Sequence, residues 1–228
     1  MAPQAPPLLY YMAASPPCRS VLLLARALGL RIVLRELNVL AGEQLDAAFI
    51  KLNPQHTVPT LDDNGFILWE SGAILCYMAD QYAKDDSLYP RDPKRRAVVD
   101  QLLYFDSATL QQRINQYFRP VAFGGANPDP SNLQKVEEAL GYLDKFIEGR
   151  AWAAGDYCTL ADFSLAVSVS NAEAFGVNIN KYPQIRKWYT RSKQEMLGFE
   201  ELNQAGANTL ASILKHKAQE NEGDKEHT

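Results

Sequence analysis

Val58-Pro59-Thr60-Leu61-Asp62-Asp63-Asn64-Gly65-Phe66-Ile67-Leu68-Trp69-Glu70-Ser71 carries the clearest structural signal in the chain. Two short apolar runs flank Asn64-Gly65, the dipeptide that best tolerates the positive φ angles of a tight hairpin turn. Pro59 lacks an N–H and suits the start of a strand. Ser71 reads as the cap of a helix that carries Ile74, Leu75, Met78 and Tyr82 on one face. Upstream, Leu8 to Met12 form a short buried strand. A helix opens at Pro16-Pro17, where missing N–H groups cost nothing, and stops at Gly29. Residues 31–39 alternate as a second strand, and Glu43 to Leu52 read as a weak helix ended by Asn53-Pro54.

Downstream the character changes. Ser87 to Pro93 reads as a linker, and beyond it the periodicity is almost wholly helical, over residues 94–119, 131–149, 160–174, 183–195 and 201–217. Thr159 with Asp162 resembles a capping box that uses Asp in place of Glu, and Tyr182-Pro183 starts the next helix. The reading is a small α/β domain with a mixed sheet over 1–86, a linker over 87–93 and an all-helical domain over 94–217. The charged stretch 218–228 is expected to be mobile.

The 228 residues carry 23 Lys and Arg against 27 Asp and Glu, a formal charge of -4. That balance offers no basic field for nucleic acid. Hydrophobic residues at 46% suit a buried core. Three scattered cysteines (Cys18, Cys76, Cys158) and three histidines form neither a disulfide framework nor a zinc pattern. Met1 to Pro7 lacks the features of a secretory signal, and Arg26 and Arg31 interrupt the longest apolar run well short of a membrane span. These bounds read as a soluble, cytoplasmic protein with no metal and no membrane.

Four short motifs carry chemistry. Ser15 stands between the first strand and first helix, where free N–H groups and the helix dipole favour negative charge. Ser15-Pro16-Pro17-Cys18 has the layout of a redox thiol motif with its first Cys replaced by Ser. Such a hydroxyl cannot exchange disulfides but can donate to a bound thiolate; alternatively it simply caps the helix. Cys18 is the rival nucleophile, although its spacing with Val21 and Ala25 places it on the buried stripe. A cis bond at Val58-Pro59 would free the Val58 backbone to pair with a peptide-like ligand; a plain edge-strand proline is the alternative. Glu70 and Ser71 together suit the ammonium and carboxylate of an α-amino acid, whereas Ser71 alone is a helix cap.

These residues resemble the cytosolic glutathione transferases. The resemblance rests on Ser15-Pro16-Pro17, Asn53-Pro54-Gln55-His56-Thr57-Val58-Pro59-Thr60-Leu61, Glu70-Ser71 and Thr159-Leu160-Ala161-Asp162-Phe163. With Tyr89-Pro90-Arg91-Asp92-Pro93 it looks most like the insect delta and epsilon classes, over about residues 8 to 216. It implies a thioredoxin-like N-terminal domain, an all-α C-terminal domain, a homodimer and glutathione as co-substrate. Carried over by position, Ser15 activates the glutathione sulfur, Val58 pairs with the cysteinyl backbone beside a cis Pro59, Glu70 and Ser71 hold the γ-glutamyl end, and His56 the glycyl end. Asp162 resembles the family's buried helix-capping residue. Family members commonly carry His where Gln44 lies and His or Arg where Gly72 lies. Gln44 still offers a hydrogen bond to a carboxylate, but Gly72 brings no side chain.

An acceptor site for hydrophobic electrophiles is expected between the domains. Tyr104, Ala108, Gln111, Asn115 and Phe118 form one candidate helix face, closed by Met12, Ile114, Arg119, Phe123 and Ile213. Three readings compete: a detoxification-type enzyme conjugating glutathione through Ser15, a weakly catalytic carrier of hydrophobic ligands on the same fold, and a thiol oxidoreductase acting through Cys18.

Overall fold

In the computed structural model, which describes residues 5–213 and residue 216, the N-terminal half is built on a four-stranded sheet. Its order is β2-β1-β3-β4, with β1 at Leu8–Tyr11, β2 at Val33–Glu36, β3 at Thr60–Asp63 and β4 at Phe66–Trp69. β1 and β2 run parallel, with Leu8 opposite Val33. β3 runs antiparallel to both β1 and β4. The hairpin forms around Asn64 and Gly65, both at positive φ (55° and 94°), and Asp62 accepts the Gly65 N–H at 2.8 Å.

Helix α1 (Pro16–Leu28) is the hinge of the packing. Every residue from Cys18 to Ala25 is buried, because the helix meets α3 (Ser71–Tyr82) as well as the C-terminal helices and shares a core with Leu9 and Leu61 of the sheet. Gly29 adopts φ 63° and its N–H returns to the Arg26 carbonyl, a left-handed stop that glycine enters without a Cβ clash. The hairpin is tied to α3 through Asp63, whose Oδ2 accepts from the Tyr77 and Tyr82 hydroxyls.

The segment from 43 to 52 is not one helix. A 3₁₀ turn (Glu43–Leu45) and α2 (Ala47–Leu52) are separated by Asp46, whose ψ of 134° is extended. Ser71 is not a cap either: Glu70 takes that position at φ 69°, and Ser71 is the first helical residue. The stretch after α3 is held closely, since Arg96 donates to the Pro90 carbonyl at 2.7 Å, stacks 3.8 Å from the Tyr89 ring and pairs with Asp80.

The helical half begins with α4 (Pro93–Phe105), passes through a π-helical turn at Asp106–Leu110 and continues as α5 (Gln111–Gly124), with Pro120 inside it. Next come α6 (Pro130–Phe146), which stops short of residue 149, then α7 (Leu160–Ala174) and α8 (Pro183–Glu195). A second π-helical turn (Phe199–Gln204) leads into a helix over 205–213. The stretch 218–228 lies outside the described residues. α7 is buried from Leu160 to Ala172 and shares one continuous core with Leu9, Val21, Leu61 and Leu75 of the N-terminal half. Asp162 sits at its start, accepting the Thr159 and Ala153 N–H groups and the Trp188 indole N–H, each at 2.8 Å. Among the described residues no helix is long and apolar enough to cross a membrane.

Where the helix over 205–213 meets α1, Gly206 permits the contact. A Cβ there would lie 2.6 Å from both the Ala13 carbonyl and Arg19 Cδ. Alanine is the better helix former by about 1 kcal/mol, yet overpacking against fixed backbone costs roughly 1–3 kcal/mol. Gly206→Ala is therefore expected to lower the urea midpoint. A raised midpoint would contradict this packing.

Candidate active site

Sheet register gathers the proposed glutathione-binding residues. Tyr10 pairs with Thr60, and Thr60 with Trp69, forming one row across β1, β3 and β4. Tyr11 at the same end pairs with Glu36 of β2. The chain leaves this row toward Ser15, arrives at it from His56-Thr57-Val58-Pro59, leaves again into Glu70-Ser71, and passes from β2 into the turns that carry Gln44. All four segments therefore lie at one end of the sheet.

Ser15 is half-buried at the N-terminal boundary of α1, with its N–H donating to the Met12 carbonyl at 2.9 Å. Its side chain makes no capping bond, so the plain capping role does not account for it. The first two helical residues are Pro16 and Pro17, and neither has an N–H to offer. Free donors are thus scarcer at this helix start than expected from a helix N-terminus in general, and Cys18 supplies the first helical N–H. The Cys18 side chain is fully buried, and burial pushes its thiol up to about 11 against the opposing pull of the Ser15 hydroxyl and the Met12 N–H. A thiol that is both sealed and protonated is a poor nucleophile, which counts against the oxidoreductase reading.

The Val58–Pro59 bond is cis, and Val58 precedes the β3 ladder, which begins at Thr60. Asn53 shapes this loop. Fully buried, it donates from Nδ2 to the Thr57 carbonyl at 3.1 Å and to Thr60 Oγ1 at 3.0 Å, and accepts the Gln55 N–H at 2.9 Å. It holds the turn in which His56 is exposed at φ 46°. Sequence reasoning took Asn53-Pro54 as a helix end and as the start of the motif that carries the resemblance, and missed this role. Gln44 is half-buried, and its Oε1 is buried without a hydrogen-bond partner, so one end of its amide is unclaimed by the protein.

Glu70, Ser71 and Gly72 line a cavity of about 420 Å³ together with Tyr104, Asp106 and Gln111. A Cβ added at Gly72 would meet nothing within 4 Å, so the missing side chain leaves open space. A second, more open hollow of about 730 Å³ is lined by Gln111, Asn115 and Arg119, and Gln111 is common to both. Met12 and Ile213 are half-buried and Ala108 is exposed; none of the three lines either cavity.

The expected helix face is not continuous. The π-helical turn at Asp106–Leu110 inserts i→i+5 spacing and shifts the phase between Tyr104 and the residues beyond it. Tyr104 is 73% exposed, whereas Ile114 is 2% exposed and belongs to the core. Ile114 is thus corrected from acceptor lining to packing. Phe118 packs its ring 4.1 Å from that of Phe175, which also makes it a packing residue. The Phe123 side chain lies outside the described ones.

Asp106 is a wall residue that the sequence did not reveal. It is 1% exposed, its Oδ2 accepts from Ser164, and burial pushes its carboxyl up to about 6. Because this lies above the unfolded value near 4, the folded state holds a proton that the unfolded state has lost, and stability falls as pH rises from about 4 to 6. Asp106→Asn removes this dependence, so its gain in Tm over wild type is expected to be larger at about pH 7.5 than at about pH 4.5. An equal difference at both values would contradict a buried, destabilising charge.

The chain thus combines a mixed sheet entered through a cis proline with a helical half that follows it. The family model for the glutathione S-transferase N-terminal domain matches residues 9–86, and that for the C-terminal domain matches residues 115–194. Glutathione S-transferase D7 of Anopheles gambiae is 46% identical over 213 residues, covering 92% of this chain and 98% of that protein. The solved delta-class glutathione transferase of Nilaparvata lugens is 47% identical with a TM-score of 0.91, covering 93% of this chain and 100% of that one. An epsilon-class glutathione S-transferase from the housefly, Musca domestica, is 38% identical with a TM-score of 0.88, covering 92% and 98%. The chain belongs to the glutathione S-transferase family, whose members use glutathione as co-substrate.

Proposed function

We propose that this chain conjugates glutathione to hydrophobic electrophiles, with the Ser15 hydroxyl donating a hydrogen bond to the glutathione thiolate. The observation that carries the reading is the gathering of Ser15, Gln44, His56-Val58-Pro59 and Glu70-Ser71 at one end of the sheet, with Ser15 unused as a cap. In this reading Val58 offers its backbone to the cysteinyl residue, Glu70 and Ser71 take the γ-glutamyl end, and His56 and Gln44 the glycyl carboxylate. Stabilising the thiolate and holding it against the acceptor combines electrostatic and proximity effects.

The acceptor site is reduced to Tyr104, Gln111, Asn115 and Arg119, with Ala108, Met12 and Ile213 at its margins. The division into 1–86, 87–93 and 94–217, a homodimer, a cytoplasmic location and a detoxification role complete the proposal. Higher identity to the delta-class relatives than to the epsilon-class one favours a delta-like assignment.

The test is turnover of glutathione with a chloronitrobenzene acceptor, run beside binding of a hydrophobic fluorescent dye. Glutathione-dependent turnover supports the enzyme. Dye binding with negligible turnover would favour the carrier reading, for which the open space at Gly72 is the specific motive.

A further inference from the structure

One turn beyond Ser15, α1 carries an arginine that the reaction as described does not use. Arg19 is 0% exposed, and its N–H donates to the Ser15 carbonyl at 3.1 Å. Only neutral groups hold its guanidinium. Nη1 donates to the Asn203 carbonyl at 2.9 Å and to Asn203 Oδ1 at 2.6 Å, Nη2 donates to Asn171 Oδ1, and Nε has no partner. No carboxylate pairs with Arg19 among the described residues.

The two titratable groups that interact with it, Cys18 and Tyr189, leave its charge uncompensated, and Glu173 and Glu201 of the neighbouring elements are paired elsewhere. On α1, Cys18 is protonated because burial raises its pKa. On α8, burial likewise pushes the Tyr189 phenol up, leaving it neutral. On α7, Glu173 is engaged by Lys193 at 3.0 Å. Along Phe199–Gln204, Glu201 is engaged by Arg26 at 3.3 Å. Burial lowers Arg19 itself to about 10, which leaves it cationic at neutral pH. A lone buried charge is strongly unfavourable, and an apolar side chain filling the same space would avoid that cost. Packing alone therefore does not call for a cation at this position. Pro16 and Pro17, meanwhile, strip the helix start of two N–H donors.

We propose that Arg19 is an electrostatic positioning residue: its uncompensated charge, one turn along α1 from Ser15, favours ionisation of the glutathione thiol bound there. The thiol proton leaves to solvent, the sulfur keeps the electron pair, and Arg19 stays protonated throughout. The proposal rests on the reading of Ser15 as the thiolate's donor. In general, a unit charge roughly 10 Å from a titrating group shifts that group by about one unit at an effective dielectric of about 20.

The experiment is an ultraviolet titration of thiolate absorbance for glutathione bound to the full chain, in wild type, Asn171→Asp and Asn203→Ala. Asn171→Asp keeps the acceptor on Nη2 but adds a carboxylate that cancels the field while preserving the packing. Its midpoint is expected to rise by about half a unit to one unit, with Tm unchanged or raised. Asn203→Ala removes hydrogen bonds yet keeps the charge, so Tm should fall while the midpoint stays at the wild-type value. A lowered wild-type midpoint that Asn171→Asp shares would overturn the role of Arg19 alone. A wild-type midpoint equal to that of free glutathione would overturn the Ser15 reading and this proposal with it.

Discussion

Ser15→Ala should cut the rate of glutathione conjugation by about a hundredfold or more, the usual consequence of removing one pre-positioned donor from a developing or fixed anion. Stability should hardly change. The side chain contributes no capping bond to α1, and the helix keeps Pro16 and Pro17 in its first turn together with the buried run from Cys18 to Ala25. Glutathione affinity should stay within a few-fold, since the other contacts proposed for it come from Val58, Glu70, Ser71, His56 and Gln44. The checks are steady-state kinetics and thermal unfolding on the same preparation. Parallel losses of activity and Tm would mean that Ser15 acts through the fold rather than on the sulfur.

Asp162→Ala should be the most damaging substitution to the fold. The carboxylate is 0% exposed and receives the Ala153 N–H, the Thr159 N–H, the Trp188 indole N–H and the Thr159 hydroxyl. Burial pushes its carboxyl up, but its removal strands four donors in a dry interior. Each unsatisfied buried group costs about 1–3 kcal/mol, and the total is large against the roughly 5–15 kcal/mol that holds a native protein together. The expected result is a steep fall in the urea midpoint, or loss of soluble protein at 37 °C. Asp162→Asn, which retains one acceptor oxygen, should fall between the two. A midpoint within experimental error of wild type would refute the view of Asp162 as the anchor that joins α7 to α8 and the loop before it.

Local chemistry made the sheet legible. Asn64-Gly65 demanded a tight turn, Gly29 a left-handed helix stop, and the Thr159–Asp162 spacing a reciprocal cap; each is decided by neighbours within a few residues, and each is present. The change from mixed elements to continuous helix after residue 93 was equally plain. Less legible were features decided by partners distant in sequence or by backbone geometry. Glu43 to Leu52 has helical spacing, but Asp46 turns extended and splits it. Glu70 takes a positive φ that its residue type disfavours, displacing Ser71 from the cap.

In the helical half, periodicity assumed a steady 3.6 residues per turn from 94 to 119. The π-helical turn at Asp106–Leu110 breaks that phase within the expected face, while Ile114, expected to close the cavity, lies in the core, and Phe118 packs its ring on Phe175. Asp106 and Asn53 escaped notice for a related reason. A buried polar residue identifies itself by its partners, Ser164 for one and Thr57 and Thr60 for the other, and those lie on different elements or across a turn. The proposed glutathione-binding residues come from short motifs taken by their order and spacing, and the sheet register brings the strand ends that flank them to one end of the sheet.

The most direct test of the central claim is the pH dependence of kcat/KM for glutathione conjugation to a chloronitrobenzene acceptor, in wild type and Ser15→Ala, from about pH 6 to 9. The expected result is a wild-type rate that titrates near neutrality, well below the ordinary thiol range of about 8.5, and a midpoint that moves upward when the hydroxyl is removed. Identical midpoints in the two proteins would contradict it, because Ser15 would then have no part in setting the charge on the glutathione sulfur.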